Sequence, residues 1–282
     1  MKYLSLDHQQ VMKYLPKRNL DSHKGSFGKI LLLCGSRGYT GAAAFAAMGA
    51  LRTGAGLVSL IVPESIYTIE AVKLAEPVIY PVSDDDGMYS CTAVEEILQM
   101  LPGKDAVLIG PGMGQSQGTL AVTKAVLENY FGPVVLDADG INILAEHKDI
   151  LRGRTSPTIL TPHLGEFRRF GGSSSDDRVA SAMKLANDLG VIILLKGHKT
   201  VITDGSTVYL NTTGNPGMAT GGSGDVLAGM IVSLLGQGLQ PLEAAACGAW
   251  LHGAAGDICA DEIGEYGMLP SDMINVLPRL LK

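Results

Sequence analysis

Residues 221–225 have the sequence Gly-Gly-Ser-Gly-Asp and are followed at once by an apolar, helix-like run, 226–235. The first amides of a helix have no partner inside that helix, and together with the helix dipole they attract phosphate oxygens. A carboxylate at the same place would repel the anion, unless it faces an incoming hydroxyl and accepts or orients its proton. The segment therefore predicts phosphoryl transfer with Asp225 directed at the acceptor hydroxyl, and its alternative is an ordinary helix cap after a flexible turn.

The composition argues against several classes of protein. The chain of 282 residues has a formal net charge of -6, and its Lys and Arg residues form no block, so it lacks the charge pattern of a nucleic-acid binder. The most apolar stretch, 42–62, is interrupted by Arg52 and three glycines, which argues against a membrane span. The N-terminal residues contain no long apolar segment and no small-residue cleavage site, so we expect a cytoplasmic protein.

The cysteines give no sign of a metal site or a disulfide. They are far apart in the chain and form no Cys-x-x-Cys pair, which is typical of a reducing compartment and provides no zinc signature. We expect all of them to be core thiols: Cys34, Cys91, Cys247 and Cys259.

Short apolar strands alternate with helical segments along most of the chain. The expected strands are 30–34, 57–62, 78–80, 106–109, 134–136, 158–160 and 191–195; the expected helices are 41–51, 65–74, 92–100, 118–130, 141–146, 176–189, 222–235, 242–259 and 271–280. Because the strands are apolar throughout, helices should cover both faces of a parallel sheet. Residues 201–210, with an Asp-Gly turn, predict an antiparallel hairpin at one edge. We predict one α/β domain, residues 1–282, with a doubly wound, mostly parallel central sheet flanked by helices.

In open sheets of this kind, ligands bind beyond the carboxyl ends of the strands. Polar or glycine-rich loops follow five strands at that edge: 35–38, 110–114, 137–140, 161–166 and 196–200. The sequence contains no GxxxxGK[ST], which excludes a Walker-type NTPase, and Gln117 stands where a dinucleotide fingerprint after Gly112 needs its third glycine. The five loops therefore predict a cleft that binds a small molecule without a Walker motif or a dinucleotide fingerprint.

The acidic and histidine residues of these loops each have a structural and a functional interpretation. His163 is either a structural imidazole or a hydrogen-bond partner for ligand hydroxyls or amides. Glu166 is either a dipole partner in a first helical turn or a holder of magnesium through water. Asp139 has the position of a cap or turn residue, although it or Asp137 could reach a hydrated magnesium ion.

Two other loops carry the same ambiguity. Lys196, His198 and Lys199 provide two positive charges and an imidazole at a strand end, which suits a nucleotide phosphate or ribose. A solvated loop is the alternative. Residues 110–114 are equally consistent with a structural turn and with a ligand contact.

Seven segments, in order along nearly the whole chain, together carry a family resemblance. They are HKGSFGKILLLCGS from His23, GPGMG from Gly110, VVLDADGIN from Val134, LTPHLGEF from Leu160, LKGHKTVI from Leu195, NPGMATGGSGDVLAGMI from Asn215 and LHGAAGD from Leu251. The set resembles the ribokinase-like superfamily, and more closely its NAD(P)H-hydrate dehydratase branch. Residues 163–166, His-Leu-Gly-Glu, stand where the wider kinases have Asn-x-x-Glu, which is similar to the dehydratase pattern and counts against an ordinary sugar or vitamin kinase.

The resemblance implies a lyase that repairs the S epimer of hydrated NADH and NADPH, in which water has added across a ring double bond of the nicotinamide. Hydroxide is a poor leaving group because water has a pKa of about 15.7, whereas a phosphate monoester leaves far more readily. Phosphorylation of the ring hydroxyl would let the ring nitrogen expel phosphate and restore the double bond. Since the transition state of phosphoryl transfer is loose, positioning should matter more than the strength of the base.

The resemblance also implies roles for individual residues. Asp225 orients or deprotonates the hydroxyl, and the transferred group is held by the amides of Gly222, Ser223 and Gly224. The hydrate contacts Ala42, Gly112, His163 and Asp225. The adenine nucleotide contacts Lys196, Gly197, His198, Lys199, Thr200 and Gly224. Mg²⁺ bridges nucleotide oxygens, and Glu166 is its candidate side chain.

Further expectations follow from the family. The co-substrate is ADP or ATP, and we favour ADP because a compact, untargeted chain resembles the bacterial members. A homo-oligomer is expected, with a tetramer as one form, and the apolar segment 242–259 could contribute to it. Many bacterial relatives carry an epimerase domain ahead of this one, whereas residues 1–22 alone precede the first segment here. Epimerisation is therefore expected from a separate protein.

Two other functions stay open at this point. A ribokinase-type kinase for a small alcohol, such as a thiazole or pyrimidine precursor, would release a stable phosphorylated product. A nucleotide sensor without turnover is disfavoured, because Asp225 is intact.

Overall fold

A single nine-stranded sheet organises the molecule, for which the computed structural model describes residues 3–173 and 177–282. The strands are β1 Lys29–Leu33, β2 Leu57–Pro63, β3 Val78–Val82, β4 Asp84–Asp85, β5 Met88–Tyr89, β6 Ala106–Ile109, β7 Val134–Leu136, β8 Thr158–Leu160, β9 Ile192–Leu195, β10 Val201–Thr203 and β11 Val208–Leu210. The order in the sheet is β11-β10-β9-β8-β7-β6-β1-β2-β3, and β4 and β5 form a separate antiparallel pair. In that order, the strands from β9 to β3 are all parallel, whereas β10 pairs antiparallel with both β9 and β11. The predicted edge hairpin is therefore confirmed.

Helices cover both faces of this sheet. They are α1 His8–Tyr14, α2 Thr40–Arg52, α3 Glu64–Lys73, α4 Ala93–Met100, α5 Gln117–Asn129, α6 Asp139–Asn142, α7 Asp149–Arg152, α8 Leu164–Arg169, α9 Arg178–Leu189, α10 Ser223–Gly236, α11 Pro241–Ile263 and α12 Pro270–Leu280. Two 3₁₀ turns lie at Lys24–Phe27 and Pro216–Met218.

The alternation of side chains along each strand explains why the strands are apolar throughout. In β1, Ile30 and Leu32 face the core formed with α2, α10, α11 and α12, while Leu31 and Leu33 face the core formed with α4, α5 and α9. All four of these side chains are fully buried. Since successive residues of a strand point to opposite faces, a strand covered on both sides must be apolar at every position.

Two helices of the first face, α2 and α10, approach each other through main chain. A methyl group placed on Gly49 of α2 would lie 2.6 Å from the carbonyl oxygen of Val226, and one on Gly229 of α10 would overlap the carbonyl of Ala46. Glycine at both positions therefore permits a backbone contact that no larger residue would allow. The contact fixes the middle of α2 against the first two turns of α10.

Several elements differ from the sequence-based expectation. The predicted helix 141–146 is wrong in extent, because α6 covers Asp139–Asn142 and continues as turns; the predicted start of α9 at Asp176 lies outside the described residues. Helices α1, α7 and α8 and the pair β4–β5 were not expected. The expectation that every cysteine is a core thiol is wrong for Cys91, which is exposed in the segment just before α4.

Among the described residues, no helix combines the length and the apolar character that a bilayer crossing requires.

Candidate active site

The five loops identified from the sequence lie together, because β1, β6, β7, β8 and β9 are neighbours in the sheet. The chain runs from β1 outward to β2 and β3 and then returns to β6 on the other side of β1. Strand order therefore reverses between β1 and β6, and such a switch point is where doubly wound sheets bind ligands at the carboxyl ends of the strands. These rim loops are the segments that follow β1, β6, β7, β8 and β9.

Helix α10 begins at this rim with amides that have no partner. Its N-cap, Gly222, has a left-handed backbone with φ 94° and supplies no side-chain cap. Within residues 3–173 and 177–282 no acceptor lies within hydrogen-bond reach of the amides of Gly222, Gly224 or Asp225. The amide of Ser223 donates to the carbonyl of Thr220 at 3.4 Å, a long bond. The helix start can thus accept an external anion.

Lys196 brings a positive charge to the same place. A methyl group on Gly224 would lie 3.2 Å from its Nζ, which therefore stands beside the first turn of α10. Its Nζ also donates to Oδ1 of Asp137 at 2.8 Å, and the Asp137 side chain is 2% exposed. Burial opposes the charge on Lys196, yet Asp137 and the other nearby carboxylates raise the pKa of the ammonium above its usual range. Lys196 is therefore charged at physiological pH.

Asp225 lies in the first turn of α10 and is half-buried. Burial raises its pKa to about 7, Asp137 shifts it in the same direction, and Lys196 opposes the shift. Asp139 and Glu166 add further repulsion. A carboxylate with a pKa near neutrality can accept a proton from a hydroxyl and return it, which is the property a general base needs.

The start of α2 lies against the loop that follows β6. A methyl group on Gly112, whose φ is 64°, would lie 2.8 Å from Cβ of Ala42. On the other side, a methyl group on Gly222 would lie 2.6 Å from the ring of Phe45. The first two turns of α2 therefore lie between the two glycine loops, and the predicted hydrate residues Ala42 and Gly112 are direct neighbours.

His163 and Glu166 cap helix α8. The amides of Gly165 and Glu166 donate to Nδ1 of His163 at 2.9 and 3.2 Å, and the His163 amide donates to Oε2 of Glu166 at 2.8 Å. Since Nδ1 accepts, the proton of the neutral imidazole is on Nε2. That nitrogen lies on a side chain that is 55% exposed, at 3.4 Å from Oε1 of Glu166. His163 can thus donate to a ligand, and its role toward the hydrate stays a prediction.

The loop after β9 is held at its backbone and leaves its side chains outside. Arg178 donates to the carbonyls of Leu195, Lys196 and His198 at 3.1, 3.2 and 2.8 Å. Gly197, His198 and Lys199 are exposed and Thr200 is half-buried, with φ 143° at Gly197 and 54° at Lys199. The predicted nucleotide residues 196–200 therefore form one fixed loop beside the α10 start.

The rim carboxylates already have partners in the protein, so they fit a magnesium ion only if substrate phosphates and water supply most of its ligands. No group of three or more His, Cys, Asp or Glu side chains suited to hold a metal occurs in the described part of the chain. Asp137 is paired with Lys196, Asp139 accepts the Gly114 amide at 2.9 Å, and both oxygens of Glu166 face His163. Magnesium in such sites is held by substrate phosphates, water and one or two carboxylates.

One buried pair near the site was missed. Nε2 of His252, on α11, lies 3.3 Å from Oγ of Ser223, and His252 is 8% exposed. Burial lowers the pKa of His252 to about 4, so its imidazole is neutral under physiological conditions. The segment LHGAAGD contributed to the family resemblance, and a histidine inside an otherwise apolar helix was the available signal. The pair orients the first residue of α10 without adding charge to the rim.

Taken by its geometry, the rim combines an anion site and a proton acceptor. The unpaired amides of α10 and the ammonium of Lys196 attract a phosphate. Asp225 follows Gly224 in the same first turn of the helix. The small residues Ala42 and Gly112 let the start of α2 and the loop after β6 approach each other closely beside this helix start. This arrangement suits transfer of a phosphoryl group to a hydroxyl.

Comparison with known proteins gives a family match. The family model of NAD(P)H-hydrate dehydratases matches residues 30–279. The bifunctional NAD(P)H-hydrate repair enzyme of Moorella thermoacetica is 43% identical over 275 residues, which are 95% of this chain and 52% of that protein. The ADP-dependent (S)-NAD(P)H-hydrate dehydratase of Neisseria meningitidis serogroup B is 38% identical over 253 residues, 86% of this chain and 81% of that protein. The chain spans about half the length of the bifunctional relatives that it matches.

Solved structures agree with this match. The ADP/ATP-dependent NAD(P)H-hydrate dehydratase of Bacillus subtilis, co-crystallized with ATP/Mg²⁺, is similar with a TM-score of 0.84 at 32% sequence identity, over 97% of this chain and 96% of that one. The ribokinase-like fold and the family resemblance predicted from the sequence are both confirmed.

Proposed function

The chain belongs to the NAD(P)H-hydrate dehydratase family, and from that premise we propose that it is a hydro-lyase that uses ADP to dehydrate the S epimer of hydrated NADH and NADPH. The products are NADH or NADPH, AMP and phosphate. One observation carries the proposal: Asp225, with a pKa raised to about 7, stands at a helix start whose amides have no partner and which lies beside the ammonium of Lys196. That is a base next to an anion site.

In the first step, the ring hydroxyl of the hydrate attacks the terminal phosphorus of the nucleotide. The new bond joins the hydroxyl oxygen to phosphorus, the bond from phosphorus to the bridging oxygen breaks, and AMP leaves. Asp225 accepts the hydroxyl proton. The amides of Gly222 and Gly224, with that of Ser223, hold the equatorial oxygens of the transferred group, and Lys196 balances its charge.

In the second step, the phosphorylated ring loses phosphate. The lone pair of the ring nitrogen forms a bond to the adjacent carbon as the carbon–oxygen bond breaks, and loss of a proton from the next ring carbon restores the double bond. Because phosphate is a much better leaving group than hydroxide, this step proceeds without further activation by the protein. Asp225 passes the hydroxyl proton to the departing phosphate, and its carboxylate is then free to receive the proton from the ring carbon.

The substrates divide the rim between them. The hydrate lies against Ala42 and Gly112, between α2 and the loop after β6, with His163 donating from Nε2. The adenine nucleotide lies along residues 196–200, with its terminal phosphate at Gly224. Two contacts support this division. Ala42 and Gly112 are direct neighbours on the hydrate side, and Lys196 lies beside Gly224 on the nucleotide side.

The proposed reaction includes magnesium as a partner of the nucleotide. When bound, it would neutralise charge on the nucleotide oxygens, and Glu166 would hold it through water. The B. subtilis relative was co-crystallized with ATP/Mg²⁺, and the rim carboxylates described above fit an ion of this kind.

We also propose the setting in which the enzyme works. Residues 1–282 act as one domain in the cytoplasm, as a homo-oligomer for which a tetramer is one form, and a separate epimerase supplies the S epimer. ADP is preferred over ATP, as the description of the N. meningitidis relative suggests.

An end-point assay tests the proposal. Purified protein, Mg²⁺ and hydrated NADH are incubated with ADP or with ATP, and NADH, AMP and phosphate are quantified. We expect the three products in equal amounts with ADP, and less NADH after the same incubation time with ATP. AMP without NADH would overturn the dehydratase function, and a stable phosphorylated alcohol made from ATP would show a kinase instead.

A further inference from the structure

Tyr39 is an exposed aromatic residue at the mouth of the candidate site. It is the N-cap residue of α2, directly after the loop that follows β1, and it is 63% exposed. A singly exposed aromatic ring is common on protein surfaces, so the significance of Tyr39 depends on its neighbours. Its position therefore raises the question of what it contacts.

The backbone of Tyr39 is fixed although its ring is exposed. Its amide donates to the carbonyl of Ser36 at 2.9 Å, and its carbonyl accepts the amide of Ala42 at 3.2 Å. The next residue, Thr40, accepts a hydrogen bond at Oγ1 from Nζ of Lys73 on α3 at 2.6 Å. Since the backbone is fixed, binding of a ligand would order only the two side-chain torsions of the ring, which keeps the entropic cost low.

The fixed backbone places Tyr39 against the two residues assigned to the hydrate. A methyl group on Gly112 would lie 2.9 Å from Cβ of Tyr39 and 3.1 Å from its carbonyl oxygen, beside the contact with Ala42. The loop carrying Gly112 is itself tied to this turn, since Oγ of Ser36 donates to the Gly112 carbonyl at 2.7 Å. The Cβ from which the Tyr39 ring extends thus lies beside Gly112, where the start of α2 meets the loop after β6.

Within the described residues the ring has no aromatic or cationic partner. The ring contacts found there are His8 with Trp250, Arg18 with Phe27 and Lys148 with Phe170. The face of the Tyr39 ring is consequently available to a flat group that enters the site.

We infer that Tyr39 stacks on the nicotinamide-derived ring of the hydrate and is a specificity-determining residue of the proposed reaction. The inference rests on the proposed function. Hydration of one ring double bond leaves the carboxamide conjugated with the remaining carbon–carbon double bond and the ring nitrogen, and that segment stays planar. A tyrosine ring beside it covers one face, excludes water and limits the orientations in which the hydroxyl reaches Asp225.

The test compares Tyr39→Ala and Tyr39→Phe with the wild-type protein in steady-state kinetics. Tyr39→Ala should raise the KM for hydrated NADH about tenfold, the factor that corresponds to 1.4 kcal/mol, with the KM for ADP changed less than about twofold. Tyr39→Phe should restore the KM for the hydrate, because the ring and not the hydroxyl makes the contact. Phe131→Ala is the matched control: it removes an aromatic side chain that is 81% exposed and lies before the amino end of β7, at the other end of that strand from the rim. It should leave both KM values unchanged.

Three results would overturn the inference. They are an unchanged KM for the hydrate in Tyr39→Ala, an equal loss in Tyr39→Phe, and an equal rise in the KM for ADP. If Tyr39→Ala does not fold, as judged by circular dichroism, Tyr39→Leu replaces it and should show the same rise. Absence of NADH formation by the wild-type protein would instead mean that the proposed function is wrong. In that case binding of NADH, followed by its fluorescence, still tests the stacking contact: equal affinity of wild-type and Tyr39→Ala protein would reject it.

Discussion

Helices α8 and α10 both begin at the rim with an acidic residue in the first turn, but they treat their amides in opposite ways. In α8, the side chains of His163 and Glu166 bond to the first amides and to the N-cap, so the helix start is complete in itself. In α10, Gly222 provides no side chain, and Asp225 forms no such cap. A helix start without its own cap is less stable, but it is free to bind a ligand. The difference separates a structural helix start from a functional one, although both lie at the same edge of the sheet.

Asp225→Asn should have the largest effect on activity. The amide keeps the size of the side chain but cannot accept the hydroxyl proton, so kcat should fall about 10³-fold, within the range for loss of a general base. The affinity for ADP, measured by isothermal titration calorimetry, should not fall, because the amides and Lys196 remain. Turnover within tenfold of the wild-type value would show that Asp225 takes no part in the chemistry. The start of α10 would then have a structural role, as that of α8 does.

Gly222→Ala should disturb the uncapped helix start directly. The left-handed backbone at φ 94° disfavours alanine, and its methyl group would lie 2.6 Å from the Phe45 ring. We expect the free energy of unfolding to fall by about 2 kcal/mol and the KM for ADP to rise at least about tenfold. Gly221→Ala is the matched control, since a methyl group there meets no atom within 4 Å. Equal behaviour of the two variants in urea unfolding and kinetics would show that the geometry of Gly222 is not needed.

Much of the fold could be predicted because a strand that is buried on both faces must be apolar at every position, and this pattern is visible in the sequence. Strands such as β1 and β6 are apolar at every position, and glycines mark their carboxyl ends, so the sheet and its rim follow from pattern alone. Short elements were missed for another reason. Helix α7, which was not expected, and helix α6, whose extent was predicted wrongly, have four residues each and depend on tertiary contacts more than on propensity.

Other misses had a signal that was overlooked. Asp7 and Gln10 form a capping box at α1, and the Asp86-Gly87 turn connects β4 and β5. The α8 cap was hidden because histidine is not a usual N-cap residue. The pair between Asp137 and Lys196 joins residues 59 positions apart, and only the order of strands in the sheet brings them together.

The pH dependence of stability should distinguish the two helix starts. The pKa of Asp225 is raised in the folded protein to about 7 from an ordinary value of 3.8, so its ionisation destabilises the fold. The stability associated with the protonated form is fully present below about pH 4 and is lost as the pH rises through about 7. Asp225→Asn should therefore be more stable than the wild type at pH 8, by an amount on the order of 2 kcal/mol, with the difference shrinking toward pH 4. Thermal unfolding at several pH values measures it, and a constant difference would contradict the raised pKa.

Glu166 variants should have the smallest effects. They test whether the capped start of α8 differs in function from the uncapped start of α10. Glu166→Gln preserves the capping geometry but removes the charge, so stability should stay within about 0.5 kcal/mol while the Mg²⁺ concentration for half-maximal rate rises a few-fold. Glu166→Ala also removes the cap and should lower the free energy of unfolding by about 1 kcal/mol. An unchanged Mg²⁺ requirement in Glu166→Gln would leave Glu166 with a structural role alone.

If the proposed function holds, the main-chain contact between α2 and α10 limits which alcohols the site can accept. Gly49 and Gly229 bring the two backbones together, and the helices then carry Ala42 at one start and Asp225 at the other. The separation of these two residues, both assigned to the hydrate, is thus set by two polypeptide backbones and not by adjustable side chains. Selection for a bulkier substrate would have to shift a whole helix, whereas a change of nucleotide requires only new side chains in the loop after β9. Diversification within this architecture should therefore be easier for the phosphate donor than for the molecule under repair.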